Sequence, residues 1–299
     1  MNCVLRSILA VVLCNTVGTL SATATNLGKP VTSNSLRIIA LGGAVTEIVF
    51  ALGAGDRVVG VDASSSYPEE AKQRPKVAYH RRLSAEGILS LEPTLIIATT
   101  EAGPPQAIQQ LESTGVALLI LPHKPSVENT IIKIKRIAAT LNEEATGAAL
   151  INRLQDEIEQ AKSYHPTQDA KAKVLFIYAR GQGSLMVAGQ NTGAETIIDL
   201  AGGVNAVQSY DGYKPLTSEA VVAAAPNAIL LMDSGLESIG GPAGLWQLPG
   251  LAYTPAGDDK RVLSFNGLML LGFGPRLGEA ALALNQALYP KNSTDENRH

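Results

Sequence analysis

Continuous apolar runs of four or five residues recur along the chain at 37–41, 58–61, 95–98 and 117–121, then at 174–178, 228–232 and 262–265. They are rich in Ile, Val and Leu and lack polar alternation, the signature of strands buried on both faces. Segments with apolar positions three or four apart separate most of them, so strands alternate with helices. That alternation predicts parallel sheets wound by right-handed crossovers. Between the two halves the rhythm breaks: residues 126–141 and 142–164 read as consecutive helices with no strand between them. In the second of these, Ala145, Ala148, Ile151, Leu154, Ile158 and Ala161 form one apolar stripe. About 20 helical residues span roughly 30 Å, the width of a small domain, which suits a stiff strut that limits hinging. The predicted fold is therefore α/β, with two Rossmann-like lobes (35–124 and 172–290), a long helical linker (125–165) and a flexible tail (291–299). A ligand of such a fold belongs in the cleft at the carboxyl ends of the strands.

The two lobes read as copies. Leu83-Ser84-Ala85-Glu86-Gly87-Ile88-Leu89 leads to Pro93-Thr94-Leu95-Ile96-Ile97, and Leu216-Thr217-Ser218-Glu219-Ala220-Val221-Val222 leads to Pro226-Asn227-Ala228-Ile229-Leu230, at one constant offset. In each copy Ser84 or Thr217 can cap a short helix whose first turn carries a glutamate, where the helix dipole favours negative charge. A second pair of segments, beginning at Thr46-Glu47-Ile48 and Ala194-Glu195-Thr196, ends in Gly53/Gly55 and Gly202/Gly203, both read as helix C-caps.

The N-terminus changes the picture by placing the chain outside the cytoplasm. Arg6 precedes an apolar stretch, Ser7 to Val17, too short to span a bilayer, and Ala22-Thr23-Ala24 offers a cleavage site, so residues 1–24 read as a signal peptide. Cys14 leaves a lipid-anchored form open, although Leu13 fits poorly where such sites prefer a small residue. Cys3 and Cys14 both lie in this segment, so the mature chain would have no disulfide and no thiolate chemistry. A formal net charge of −3 and an aromatic content of 4% argue against nucleic acid as a partner.

Enzyme signatures are scarce. Gly272 to Gly278 is one residue too long for a dinucleotide fingerprint, and no P-loop, nucleophile elbow or zincin motif occurs. The four histidines, at 80, 123, 165 and 299, are scattered, and a three-histidine metal site would need most of them. The unusual stretch is Ala78-Tyr79-His80-Arg81-Arg82, which enters the first repeat helix on the side a cleft ligand would occupy. A phenolate is a hard anionic donor suited to ferric iron, and tyrosine is a known axial ligand of haem. Adjacent arginines would stabilise the phenolate and could pair with carboxylates such as haem propionates. A surface tyrosine in a basic loop is the plain alternative.

The segment from Tyr79 to Pro93 resembles the haem-binding subgroup of periplasmic receptors for ABC importers. Thr99 to Pro105, Met186-Val187-Ala188-Gly189, Leu248-Pro249-Gly250, Thr254-Pro255-Ala256-Gly257 and Leu271 to Arg276 carry the same resemblance in order along the mature chain. It implies a helical-backbone periplasmic binding protein that is not an enzyme but a receptor, which takes up one ferric haem and hands it to the transmembrane subunits of a permease. Tyr79 falls where the family's axial tyrosine lies. Glu86 and Glu219 fall where the wider family places one glutamate per lobe to dock permease arginines. His80 competes with Tyr79 as ligand, and His80, Arg81, Arg180 and Tyr213 are the remaining pocket residues. Some relatives carry a histidine after the first strand of the second lobe; here Ala179-Arg180-Gly181 has arginine instead, which implies one haem per chain. The resemblance also implies a periplasmic monomer. Alternatives are a cobalamin or ferric-siderophore receptor of the same fold, a secreted haem-handling enzyme, or a sensor subunit without a transporter.

Overall fold

The computed structural model describes residues 36–163, 171–181 and 183–290. The predicted signal segment with Cys3 and Cys14, His165, and the predicted tail at 291–299 lie outside these residues. Four strands, β1 (Ile38–Ala40), β2 (Val58–Val61), β3 (Leu95–Thr99) and β4 (Ala117–Leu121), form an all-parallel sheet in the order β2-β1-β3-β4. Six more form the second sheet: β5 (Lys173–Ala179), β6 (Leu185–Ala188), β7 (Val204–Asn205), β8 (Tyr213–Pro215), β9 (Ala228–Met232) and β10 (Val262–Phe265). All seven strands read from apolar runs are present, within two residues at their ends.

The second sheet corrects the expectation of parallel strands throughout. The first half of β5 pairs in parallel with β9 and β7, but its last residues, Ile177 to Ala179, pair antiparallel with β6, which pairs antiparallel with β8. β6 and β8 went unread because they are short and β8 is exposed along its length, so neither carries a buried apolar run.

The helices that matter for the site are α1 (Gly43–Ala51), α2 (Ala85–Leu89), α3 (Val127–Leu141), α4 (Glu144–Ser163), α5 (Gly193–Leu200), α6 (Ser218–Ala224) and α7 (Leu277–Leu288). The repeat caps are as read: Ser84 Oγ accepts from Gly87 N at 3.3 Å and Thr217 Oγ1 from Ala220 N at 3.2 Å. Gly53 and Gly202 take left-handed φ values of 77° and 79° just past α1 and α5, which a side chain would resist.

Alternate residues of each sheet face different cores. Ile38, Ala40 and Ile97 of the first sheet, and Val174, Phe176 and Leu230 of the second, belong to one continuous cluster that runs through α3, α4 and α7. The opposite faces close two separate cores, one around Ile39 and Ile96 and one around Leu175 and Ile229. The lobes thus share an apolar spine, and separating them would expose it to water. Within that spine the stripe of α4 runs through Gly147, Ile151, Leu154, Ile158 and Ala161; Ala145 and Ala148 are exposed, which corrects their assignment. Gly147 lets α4 approach α3 closely, since a Cβ there would lie 2.6 Å from that of Ala138.

Polar contacts tie the lobes together beneath the cleft. Glu47 of α1, 2% exposed, accepts from Arg276 Nε at 3.1 Å and from its terminal nitrogen at 2.5 Å. The Arg276 guanidinium also stacks 3.8 Å above the Tyr67 ring. Thr130 and Lys133 of α3 both donate to the Phe273 carbonyl, at 3.0 and 2.7 Å.

Candidate ligand-binding cleft

The side chains that line the cleft sit just past the carboxyl ends of the strands, because loops leave parallel sheets there. Asp62 follows β2, Glu101 follows β3 and His123 follows β4; Tyr178 and Arg180 close β5 on the other lobe.

Asp62 organises the first lobe's contribution. It is fully buried and accepts from Gly42 N (3.0 Å), Ser64 N (3.2 Å), Ser64 Oγ (2.7 Å), Ser65 Oγ (2.8 Å), His80 N (3.3 Å) and His80 Nδ1 (2.9 Å). Burial alone would raise its pKa, but the hydrogen bonds from His80, Ser64, Ser65 and Gly42 hold it down at about 2. Around this carboxylate the loop carrying Tyr79 is pinned at several points. Ala63 N donates to the Ala78 carbonyl at 2.8 Å, Gly103 N to the His80 carbonyl at 2.9 Å and Leu83 N to the Gly103 carbonyl at 2.8 Å. Ala78 is held at φ 93°, a left-handed value that a non-glycine residue keeps only where its surroundings enforce it.

Tyr79 stands at the tip of this loop, 39% exposed, with the His80 ring centroid 4.4 Å from its own. His80 points the other way: its side chain is 12% exposed and its Nδ1 is committed to Asp62. Of the two, Tyr79 is the residue free to meet a ligand. Arg81 lies beside it and forms an ion pair with Glu101, whose other oxygen meets His123 Nε2 at 2.9 Å. The hydrogen bond that Arg81 donates to Glu101 raises its pKa, to which the charges of both Tyr79 and Tyr178 also contribute, so this cation lies within electrostatic reach of a phenol on each lobe.

On the second lobe Arg180 is exposed, its guanidinium 5.2 Å from the centroid of the Tyr178 ring. Tyr178 in turn meets Tyr213 edge to face at 6.1 Å. Burial, with Tyr178 beside it, pushes the Tyr213 phenol up to about 12, which suits it to packing rather than to supplying a phenolate. Arg81, His123 and Lys133 on one side and Tyr213 and Phe273 on the other border a cavity of about 240 Å³ between the lobes. Glu86 and Glu219 lie elsewhere, exposed in the first turns of α2 and α6.

Tyr178, Asp62, Glu101, His123 and Lys133 were missed in the sequence. Asp62, His123 and Glu101 follow an apolar run by one, two and three residues, and that position at a strand's carboxyl end was the available signal. Tyr178 was absorbed into a predicted strand, and its partial exposure has no mark in the sequence.

A family profile described as Periplasmic binding protein matches residues 38–266, which span both sheets. The chain belongs to that family. Solved structures resemble this binding protein over nearly all of their own length. The periplasmic heme-binding protein RhuT from Roseiflexus sp. RS-1 is 45% identical, with a TM-score of 0.81, covering 85% of this chain and 98% of that one. BhuT, described in complex with two hemes, is 43% identical with a TM-score of 0.80 over 84% and 97%. HutB of Vibrio cholerae is 35% identical with a TM-score of 0.79 over 85% and 99%. Among curated relatives, a vitamin B12-binding protein of Pectobacterium carotovorum is 28% identical over 82% of this chain and 85% of its own.

Proposed function

We propose that this binding protein captures haem outside the cytoplasm and delivers it to an ABC-type permease. The observation that carries the reading is Tyr79, held by a pinned loop at the mouth of an interlobe cleft beside Arg81. A phenol so placed can lose its proton to ferric iron, and the neighbouring guanidinium favours the resulting phenolate. Tyr178, Tyr213 and Arg180 supply aromatic surface and a cation from the facing lobe, which suits a flat apolar ring with anionic edges. The protein carries its cargo without altering it and works as a monomer.

One ferric haem per chain is the proposed load, with Tyr79 as axial ligand. Glu86 and Glu219, one on each lobe and both free in solvent, are the proposed contacts for a two-fold permease. The mature chain begins near residue 25, after removal of the signal peptide, and comprises lobes at 35–124 and 172–290 around the 125–165 linker.

Cobalamin is the cargo named for relatives at 26–29% identity, whereas haem is named for those at 32–45%. Competition resolves the two. Haemin should saturate the protein and be recovered chemically intact, while cyanocobalamin and a ferric siderophore at tenfold excess should leave its occupancy unchanged. Displacement by cyanocobalamin would replace the haem reading with the cobalamin one.

A further inference from the structure

The cleft contains a buried positive charge that Tyr79 does not account for. Lys133, on the second turn of α3, is 1% exposed, and its ammonium donates to the Phe273 carbonyl at 2.7 Å. Among the described residues it has no carboxylate partner. An ammonium has three N–H donors, and a neutral carbonyl uses one without cancelling the charge. Charges taken out of water are normally paired. This one instead borders the 240 Å³ interlobe cavity, together with Lys124, Arg81 and His123. Glu101 is the carboxylate that meets this group, and it is shared between Arg81 and His123. Three basic side chains therefore surround the cavity against one acid, and Lys133, which burial pushes down to about 8, still carries its charge at neutral pH. His123 registers the excess: burial lowers its pKa first, and Lys133 and Arg81 push it further down against the pull of Glu101.

Size decides what could enter. Pockets that enclose a whole drug-sized ligand run from about 300 Å³ upward. A porphyrin is larger than this cavity, but a carboxylate on a short alkyl arm fits, with Tyr213 and Phe273 as an apolar wall for the arm. We propose that the cavity is a carboxylate subsite, in which Lys133 is the buried counter-charge for an anionic arm of the ligand and Lys124 reinforces it. This rests on the haem reading above: the arm is a propionate turned inward towards α3, while the ring stays at the level of Tyr79.

The test compares haemin with haemin dimethyl ester, which keeps the iron and the ring but has no free carboxylate. Wild-type protein should bind the ester at least tenfold more weakly. Lys133→Met should lose most of this preference for the acid, and Lys124→Gln should narrow the gap. Wild type binding both forms within twofold, or Lys133→Met keeping the full preference for the acid, would overturn the subsite. A Lys133→Met chain that fails to fold, judged by circular dichroism, leaves the decision to the acid-to-ester ratio of Lys124→Gln against wild type; an unchanged ratio counts against the proposal. Failure of the cargo reading looks different, since haemin itself would then not bind wild type, and the subsite would fall with it.

Discussion

Asp62 shows how one buried residue can hold the loop beside Tyr79 in place. Six donors converge on its carboxylate, and two of them belong to His80, the neighbour of Tyr79. Its pKa is depressed from 3.8 to about 2, so the folded state binds the proton less readily than the unfolded chain. The stability this contributes is therefore complete above about pH 4 and is lost as pH falls through 2, amounting to about 2 kcal/mol. Asp62→Asn should remove that portion of the acid-unfolding curve and lower the melting temperature at neutral pH; an unchanged curve between pH 4 and 2 would show that the carboxylate is not so held. The same geometry explains why His80 looked like a competing ligand in the sequence. Adjacency to Tyr79 was visible there, but the commitment of Nδ1 to a residue 18 positions earlier was not.

At the level of elements, the strands were legible because burial on both faces leaves a continuous apolar run. The helical pair was legible because its stripe has a period near 3.6. What escaped was set by neighbours distant in sequence. β6 is held by pairing with the last residues of β5 and β8 by pairing with β6, and the α4 stripe shifts from Ala145 and Ala148 to Gly147 because α3 presses against that turn. Leu154, fully buried in the cluster common to both lobes, makes the shared spine testable. Leu154→Ala should cost about 2–5 kcal/mol, measured by denaturant unfolding. If the lobes fold as one unit, the variant should unfold in a single transition with a reduced midpoint. Two separated transitions would mean that the spine does not couple them.

The whole molecule is a duplicated scaffold put to unequal uses. On the outer face the duplication is kept: Glu86 and Glu219 occupy equivalent first turns of capped helices, both exposed. Glu86→Lys and Glu219→Lys should each impair haem transport in reconstituted vesicles by roughly tenfold, about 1.4 kcal/mol at a rim contact, with haemin affinity in solution unchanged. Loss of haemin affinity would instead tie these residues to the cleft. Inside the cleft the symmetry is gone. Tyr79 comes from one lobe on a pinned loop, while the other offers Tyr178 with Arg180 and a phenol, Tyr213, pushed up to about 12. The sequence pointed to Tyr79, Arg180 and Tyr213 singly; their arrangement across the cleft depends on the spine and the Glu47–Arg276 pair beneath it. The most direct test of the account is a haemin titration of the wild type and Tyr79→Phe, followed by absorbance. The wild type should saturate at one haemin per chain with the spectrum of a ferric high-spin tyrosinate, and Tyr79→Phe should lose that spectrum; the same spectrum in Tyr79→Phe would contradict it.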